Sequence, residues 1–519
     1  MVSESAPGPF PELDTLTIAE MQGAMAAGSH SARAFVDMYL ARIAALDRAG
    51  PRLNAVLELN PAALDIAAAL DGERQSGRVR GPLHGIPLLL KDNIDTADRM
   101  MTTAGSLALV GQPADMDATV AARLRAAGAV LLGKTALSEW ANFRSSQSSS
   151  GWCGRGGQTR NAYALDRNPS GSSSGSAVAV AAALCAAALG TETDGSIVSP
   201  AGANGVVGIK PSVGLVSRAG IIPIAHSQDT AGVHARTVSD AAAVLTAIVA
   251  TSPDPRDSAT GAGLPAPIDY TRCLDPDGLR GARIGIARNL GFGGSARADA
   301  IMDAAIRALR DAGCMIVDPA PIPSDLAEAG RAEQAVMLYE FKNGLAAYLA
   351  TRRGVSLERE GFPPTLAGLI AFNEAHAREE LSFFGQDLLV ASEACGPLTE
   401  PAYREALATS RRLSGPEGID KALADHALDA LVAPTGGPAW MTDLVNGDHP
   451  GVGSSSPAAR AGYPIVSVPA GDALGLPVNI SFIGRRFGEE TLIKLAFAFE
   501  QATRARRRPH FAPALPPLS

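Results

Sequence analysis

"ATVAARLRAAGAVLLGKTAL", residues 118–137, reads as a helix, a glycine turn at Gly128 and a buried strand. A helix that turns at glycine straight into an apolar run is the rhythm of an α/β layered fold. The same stretch contains GAVLLGKT, Gly128 to Thr135, a literal match to the phosphate-binding pattern G-x-x-x-x-G-K-T. A phosphate cradle needs a loop whose backbone N–H groups turn inward after the strand. Here the middle of the motif is Ala-Val-Leu-Leu, which has the composition of the strand itself, so the match is read as structural.

Upstream, "GIPLLLKDNID" (residues 85–95) is a second buried strand that stops abruptly at Lys91. A lysine closing a run of three leucines is costly to bury as a cation, because its ammonium loses its water. Taken alone, Lys91 is open to three readings: a snorkelling surface residue, half of a salt bridge, or a base that has shed its charge. Nearer the start, "SHSARAFVDMYLARIAALD" (29–47) is an amphipathic helix with Ser31 as N-cap and Phe35, Tyr39, Ile43 and Leu46 at helical spacing. Residues 145–175 are rich in Gly and Ser and read as loop, and "SAVAVAAALCAAALG" (176–190) reads as a small-residue helix deep in the core.

Further on, strands at "GARIGIA" (281–287) and "CMIVDP" (314–319) flank the helix "ADAIMDAAIRALRDAG" (298–313). Residues 325–430 are largely helical and more charged, a cap or subdomain on the sheet. Strands return in "LDALVAPT" (428–435), "PIVSVPAG" (464–471) and "LPVNISFIG" (476–484), before the helix "EETLIKLAFAFEQATRAR" (489–506). Strands near the two ends of the chain are expected to share one sheet. With no internal repeat and no long linker, residues 1–519 read as one large α/β domain with an inserted helical region.

A chain of 519 residues that is 46% hydrophobic and 19% charged has ample material for a large core. Aromatics at 5% point to close packing of small side chains. The net charge of −8 argues against a nucleic-acid partner, and the basic "TRARRRPH" (503–510) is read as a solvated helix end. Cys153, Cys185, Cys273, Cys314 and Cys395 are odd in number and scattered, so they read as mostly buried thiols. No stretch reaches 18 uninterrupted apolar residues, so no membrane span is expected. The start, "MVSESAPGPFPELDTLTIAEM", has neither a basic n-region nor an apolar h-region, which as written points to the cytoplasm. A processed start of a secreted or periplasmic form would read the same.

"GSSSG" (171–175) matches the G-x-S-x-G elbow with Ser173 at its centre, but an elbow follows an apolar strand, and "YALDRNPS" (163–170) stands there instead. Neither H-x-x-x-H nor H-E-x-x-H occurs, so neither zinc nor any other cofactor is expected.

The most unusual stretch is "SGSSSGSAVAVAAALCAAALGTETDGSIVSPA" (170–201), a Ser/Gly loop, a small-residue run and a second glycine-flanked loop presenting Ser196. Singly these are ordinary: Ser172 and Ser174 can cap a helix, and Ser196 can be a turn residue. In order, however, "LLLKDN" (88–93), "SGSSSGS" (170–176) and "GTETDGS" (190–196) resemble the amidase signature family of serine hydrolases. So do "NGVVGIKPSVGLVSRAGIIPI" (204–224), "SQDTAGVHARTVSDAAAVL" (227–245) and "AGYPIVSVPAG" (461–471). The likeness covers most of the chain and is clearest from Gly81 to Leu245, the core of the signature. "GGQTRN" (156–161), "LYEFK" (338–342) and "GPEGID" (415–420) are most similar to the peptide amidase branch, which removes the C-terminal amide from peptides.

The resemblance implies one large α/β/α layered domain whose mixed sheet is covered by helices. It implies a Ser-cisSer-Lys triad: Ser196 as nucleophile, Ser172 as bridge and Lys91 as base, with the Gly171–Ser172 bond cis. The backbone amides of Thr193, Asp194, Gly195 and Ser196 would line the oxyanion hole. The reaction implied is cleavage of a carboxamide C–N bond through an acyl-enzyme, with release of ammonia, on peptide C-terminal amides. The alternatives are a broad aliphatic or aryl amidase and an amidotransferase-like subunit that needs a partner. A monomer without membrane or nucleic-acid contact is expected. The 325–430 helices and the loop "SSSGWCGRGG" (148–157) would shape the pocket.

The residues support the chemistry on their own terms. A serine hydroxyl is a weak nucleophile until a base takes its proton, and no suitably placed His or carboxylate is evident. A free lysine titrates near ~10.4, so a base at pH 7 needs a shift of ~3 units, about 4 kcal/mol, within reach of burial. Asp92 would oppose this if it faced Lys91, but neighbours in an extended strand point to opposite faces. Four positions depart from the common family pattern: Ser170, Ser174 and Asp194 replace glycines, and Ala162 stands where proline is frequent. Asp194 is expected to point away from the oxyanion or to bind the loop backbone.

Overall fold

Leu88, Leu89 and Leu90 have no side chain suited to water, and all three are buried between two neighbouring strands. In the computed structural model, which describes residues 8–261, 263–266 and 268–515, eleven strands form one mixed sheet. Residues 1–7, on which part of the reading of the N-terminus falls, lie outside the described residues. The strands are β1 (Val56–Leu59), β2 (Pro87–Lys91), β3 (Val130–Thr135), β4 (Ala187–Glu192), β5 (Val207–Lys210), β6 (Thr230–Ala235), β7 (Arg283–Ile286), β8 (Met315–Val317), β9 (Ala430–Pro434), β10 (Ile465–Ala473) and β11 (Leu476–Ile483).

Across the sheet they lie in the order β1-β3-β2-β4-β6-β5-β10-β11-β9-β7-β8. The groups β3-β2-β4 and β9-β7-β8 are parallel, and the strands between them are antiparallel. Strands from both ends of the chain thus meet in one sheet, as Ile465 opposite Lys210 shows.

The helices that matter for the site are α1 (Ala32–Arg42), α2 (Thr119–Ala126), α3 (Ser174–Ala181), α4 (Val198–Ala203), α5 (Ala296–Asp311), α6 (Leu326–Leu349), α7 (Ser456–Ala461) and α8 (Glu489–Thr503). Ser31 caps α1 by accepting the Ala34 N–H at 3.0 Å. The helix-turn-strand reading of residues 118–137 becomes α2 and β3. The literal phosphate motif therefore lies in a buried strand, and Lys134 donates to Ile94 O at 2.7 Å and Thr102 Oγ1 at 2.9 Å.

Two expectations are corrected. The small-residue helix does lie deep, but it ends at Ala181, and residues 187–192 are strand β4. Ala183 takes a left-handed φ of 52° at the break. A run of alanines carries no periodicity to separate helix from strand, and tertiary packing overrides its helix propensity. The layer has room only for small residues: a Cβ on Gly190 would sit 2.7 Å from Ser173 Oγ. The basic C-terminal cluster is not simply solvated either, since Arg506 turns inward to Asp14 O and Ala181 O, both at 3.4 Å.

Residues 326–425 are largely helical, with short connecting loops, and Phe341, Leu345 and Phe372 pack with Trp140 and Phe143 in a second apolar cluster. The Gly/Ser segment contains a two-stranded hairpin, Trp152–Cys153 with Gly157–Gln158. The five cysteines are free thiols, four buried and Cys395 half-buried. No helix among the described residues is long and apolar enough to cross a membrane.

Candidate active site

Lys91 is the last residue of β2 and is wholly buried. Its Nζ lies 2.7 Å from Ser172 Oγ, 2.9 Å from Thr191 Oγ1 and 3.2 Å from Thr191 O. Burial pushes its pKa down to about 7, against the pull of the Glu192 and Asp229 carboxylates, which favour the ammonium. Asp92, its neighbour in sequence, is turned to Thr103 Oγ1 and to Arg155 at 3.3 Å. The carboxylate nearest in the chain is therefore committed elsewhere.

Ser172 is singled out from its neighbours by what they do. Ser173 Oγ donates to Thr191 O at 3.0 Å and accepts the Thr191 N–H at 3.2 Å, tying the start of α3 to β4. Ser174 Oγ donates to Ser170 O at 2.6 Å. Both are structural, and the elbow match at Ser173 is a packing contact. The Ser172 carbonyl accepts the Ser138 N–H at 3.0 Å, and the Gly171–Ser172 bond is cis. Gly171 has no space for a side chain, because a Cβ there would sit 2.2 Å from Ser138 Oγ.

The Ser196 loop joins β4 to α4. Ser196 is 8% exposed, and its carbonyl accepts the Ser173 N–H at 3.2 Å. The carbonyls of Thr193 and Gly195 are likewise engaged, by Gln228 Nε2 at 3.3 Å and Ser199 N at 2.7 Å. Because a trans peptide sets C=O and the next N–H in opposite directions, the amides of Asp194 and Ser196 point away from those contacts. Gly195 makes this turn with a φ of 78°, in the region glycine alone enters freely. Glu192 fixes the far side, its Oε2 accepting the Ile197 and Val198 N–H groups at 2.7 and 3.1 Å.

Asp194, the unusual acid beside the loop, accepts from Ser455 Oγ at 2.6 Å, so it binds a hydroxyl from a distant segment and not the loop backbone. Glu333 on α6 accepts from Gln228 at 2.8 Å and pairs with Arg460 on α7 at 2.7 Å, which ties the helical region to this loop. His234 touches the same loop through Ile197 O at 2.9 Å, and burial pushes its pKa down to about 4. It is a neutral structural residue.

The structure thus brings Lys91, Ser172 and the Thr193–Ser196 loop into one buried region. Sequence reasoning missed Thr191, Asn93, Glu192, Asp229 and Ser455. The first four stand inside the quoted motifs, and the first three lie within two residues of positions already singled out. Ser455 lies 261 residues from Asp194 and carries no local signal.

Residues 34–493 match the family described as Amidase. The structure of peptide amidase from Stenotrophomonas maltophilia superimposes with a TM-score of 0.90 at 55% identity, covering 97% of this chain and 100% of that one. A probable amidase of Arabidopsis thaliana is 43% identical over 488 residues, 93% of this chain and 88% of its own. A glutamyl-tRNA(Gln) amidotransferase subunit of Moorella thermoacetica is 35% identical over 470 residues, 86% of this chain and 88% of its own. With a family match over most of its length and the same helix-covered mixed sheet, the chain belongs to the amidase signature family and is an amide-hydrolysing enzyme.

Proposed function

We propose that this enzyme releases ammonia from primary carboxamides through an acyl-enzyme on Ser196, and that peptides ending in an amide are its preferred substrates. The observation that carries the chemistry is a buried lysine amine 2.7 Å from a serine hydroxyl, with a pKa near neutrality. Neutral Lys91 takes the Ser172 proton as Ser172 takes that of Ser196, and Ser196 Oγ attacks the carbonyl carbon. The oxyanion is held by the outward amides of the 193–196 loop, each such donor being worth about 3–4 kcal/mol. As the C–N bond breaks, the proton returns through Ser172 to the leaving nitrogen, and ammonia departs. A water molecule then repeats the sequence on the ester.

The likeness to the S. maltophilia peptide amidase supports the peptide-amide preference. In this reading the enzyme works as a monomer, and the 325–430 helices with the 148–157 loop shape the pocket. Ser196→Ala should abolish ammonia release from an N-blocked dipeptide amide while circular dichroism is unchanged; retained turnover overturns the reading. Rates on simple aliphatic and aryl carboxamides matching those on dipeptide amides would favour a broad amidase instead. The likeness to the M. thermoacetica amidotransferase chain supports a partner-dependent alternative, which full activity of the isolated protein would reject.

A further inference from the structure

A neutral lysine amine has two N–H bonds and one lone pair, so the placement of its hydrogens decides whether it can act as a base. Lys91 Nζ has three oxygens around it: Thr191 O, Thr191 Oγ1 and Ser172 Oγ. A carbonyl oxygen only accepts, so Thr191 O takes one N–H. The other N–H and the lone pair are divided between two hydroxyls, each able to donate or accept. If the second N–H goes to Ser172, the lone pair faces Thr191 and the proton relay is blocked. If it goes to Thr191 Oγ1, the lone pair faces the Ser172 proton.

The surroundings of Thr191 favour the second arrangement. Its backbone is clamped from both sides by Ser173, which accepts its N–H and donates to its carbonyl. Its hydroxyl also accepts from Asn93 Nδ2 at 3.0 Å. The amide oxygen of the same Asn93 is buried with no hydrogen-bond partner. Asn93 and Thr191 line a cavity of about 10 Å³ together with Thr193, Arg218, Asp229 and Thr230 on its polar side and an alanine and three isoleucines on the other. That is about the smallest space that holds one water, with Asn93 Oδ1 and the Thr191 hydroxyl on its polar side as partners. A water there would accept the Thr191 hydroxyl proton and donate to Asn93 Oδ1, leaving the Thr191 oxygen free to receive from Lys91.

We infer that Thr191, oriented by Asn93, is a positioning residue that occupies both N–H bonds of Lys91 and so aims the lone pair of the amine at Ser172. The inference rests on the triad reading proposed above. The charged and titratable groups facing Lys91 are Glu192 on β4, Asp229 before β6 and His234 on β6. All three are retained in the variants below, so a shift reports on Thr191 and Asn93.

The test is the pH dependence of kcat/KM on an N-blocked dipeptide amide for Thr191→Val, Thr191→Ser and Asn93→Asp, with circular dichroism as the folding control. Thr191→Val should lose roughly tenfold or more at pH 8, the order expected for one hydrogen bond to a reacting group, and Thr191→Ser should recover to within about threefold. Asn93→Asp places a carboxylate near the amine and should move the acid limb up by about one pH unit. A valine variant within twofold of the parent, or a serine variant as poor as valine, overturns the inference. If the valine variant fails to fold, an unmoved acid limb in Asn93→Asp overturns it. Retained activity in Ser196→Ala would instead sink the triad reading, so the two failures are distinct.

Discussion

Lys91 ends β2 and Lys134 stands one residue before the end of its parallel neighbour β3, one step apart in register, and both are completely buried with pKa values pushed down by desolvation. They differ in what their amines touch. Lys134 donates to a carbonyl and a threonine, in the field of Asp92 and Asp95, and its contacts go no further. Lys91 touches Ser172, whose neighbour Ser173 hydrogen-bonds to the Ser196 carbonyl. Burial alone therefore does not tell the two lysines apart. What separates the two is a serine hydroxyl beside one amine, on a segment whose next residue is bonded to the Ser196 loop.

The largest break in this comparison comes from deleting each amine in turn. Lys91→Met should lower kcat/KM at pH 8 by roughly a thousandfold or more, in the range seen when a general base and its nucleophile act as a unit. Ammonia release from a dipeptide amide is the readout, with circular dichroism confirming the fold. Loss of less than tenfold would mean that another group takes the proton.

A second prediction concerns pH. Only the neutral amine can accept a proton, so activity falls as Lys91 gains charge. With its pKa at about 7, kcat/KM should reach half its plateau near pH 7 and drop about tenfold per unit below pH 6. It should be flat above about pH 8 until another group titrates. A profile from pH 5.5 to 9 checks this, and an acid limb near pH 4 would assign the role to a carboxylate.

A smaller effect is expected at the edge of the 193–196 loop, the proposed oxyanion hole. Ser455→Ala removes the hydroxyl that holds Asp194 and should reduce kcat by roughly three- to tenfold, about one hydrogen bond. KM should change little, because the loop acts mainly when charge develops on the carbonyl oxygen. Steady-state kinetics would separate the two parameters.

The smallest kinetic effect belongs to Lys134→Met. It should leave kcat/KM and its pH profile within about threefold of the parent while costing about 1–3 kcal/mol of stability, through the two buried acceptors left unpaired. Urea unfolding beside the activity assay measures both. A Lys134 variant as inactive as the Lys91 variant would erase the distinction drawn here.

Much of this site was legible because it sits in contiguous motifs. The leucine strand ending at Lys91, the Ser172 loop and the Ser196 loop are local patterns, and the sheet brings their ends together. The helix-to-strand change after Ala181 was not legible, because alanine favours helix and only tertiary packing, in the narrow space beside Ser173 and His234, overrides it. The partners of the proposed triad were hidden for a different reason. Thr191 and Asn93 stand one or two residues from singled-out positions, yet nothing in a sequence tells which of adjacent polar side chains turns inward. Ser455 reaches Asp194 only through the folding of the chain's final third. The elbow match at Ser173 and the phosphate match at Lys134, both set aside on sequence grounds, are incidental for the same cause: both are buried side chains satisfying nearby backbone carbonyls.

The proposed chemistry depends on Lys91 being largely uncharged at working pH. Titration of its amine by NMR in nitrogen-labelled Ser196→Ala protein, with the signal assigned by its absence in the double variant carrying Lys91→Met, measures this directly. The expected midpoint is close to pH 7. A midpoint near the free-lysine value of ~10.4 would contradict it.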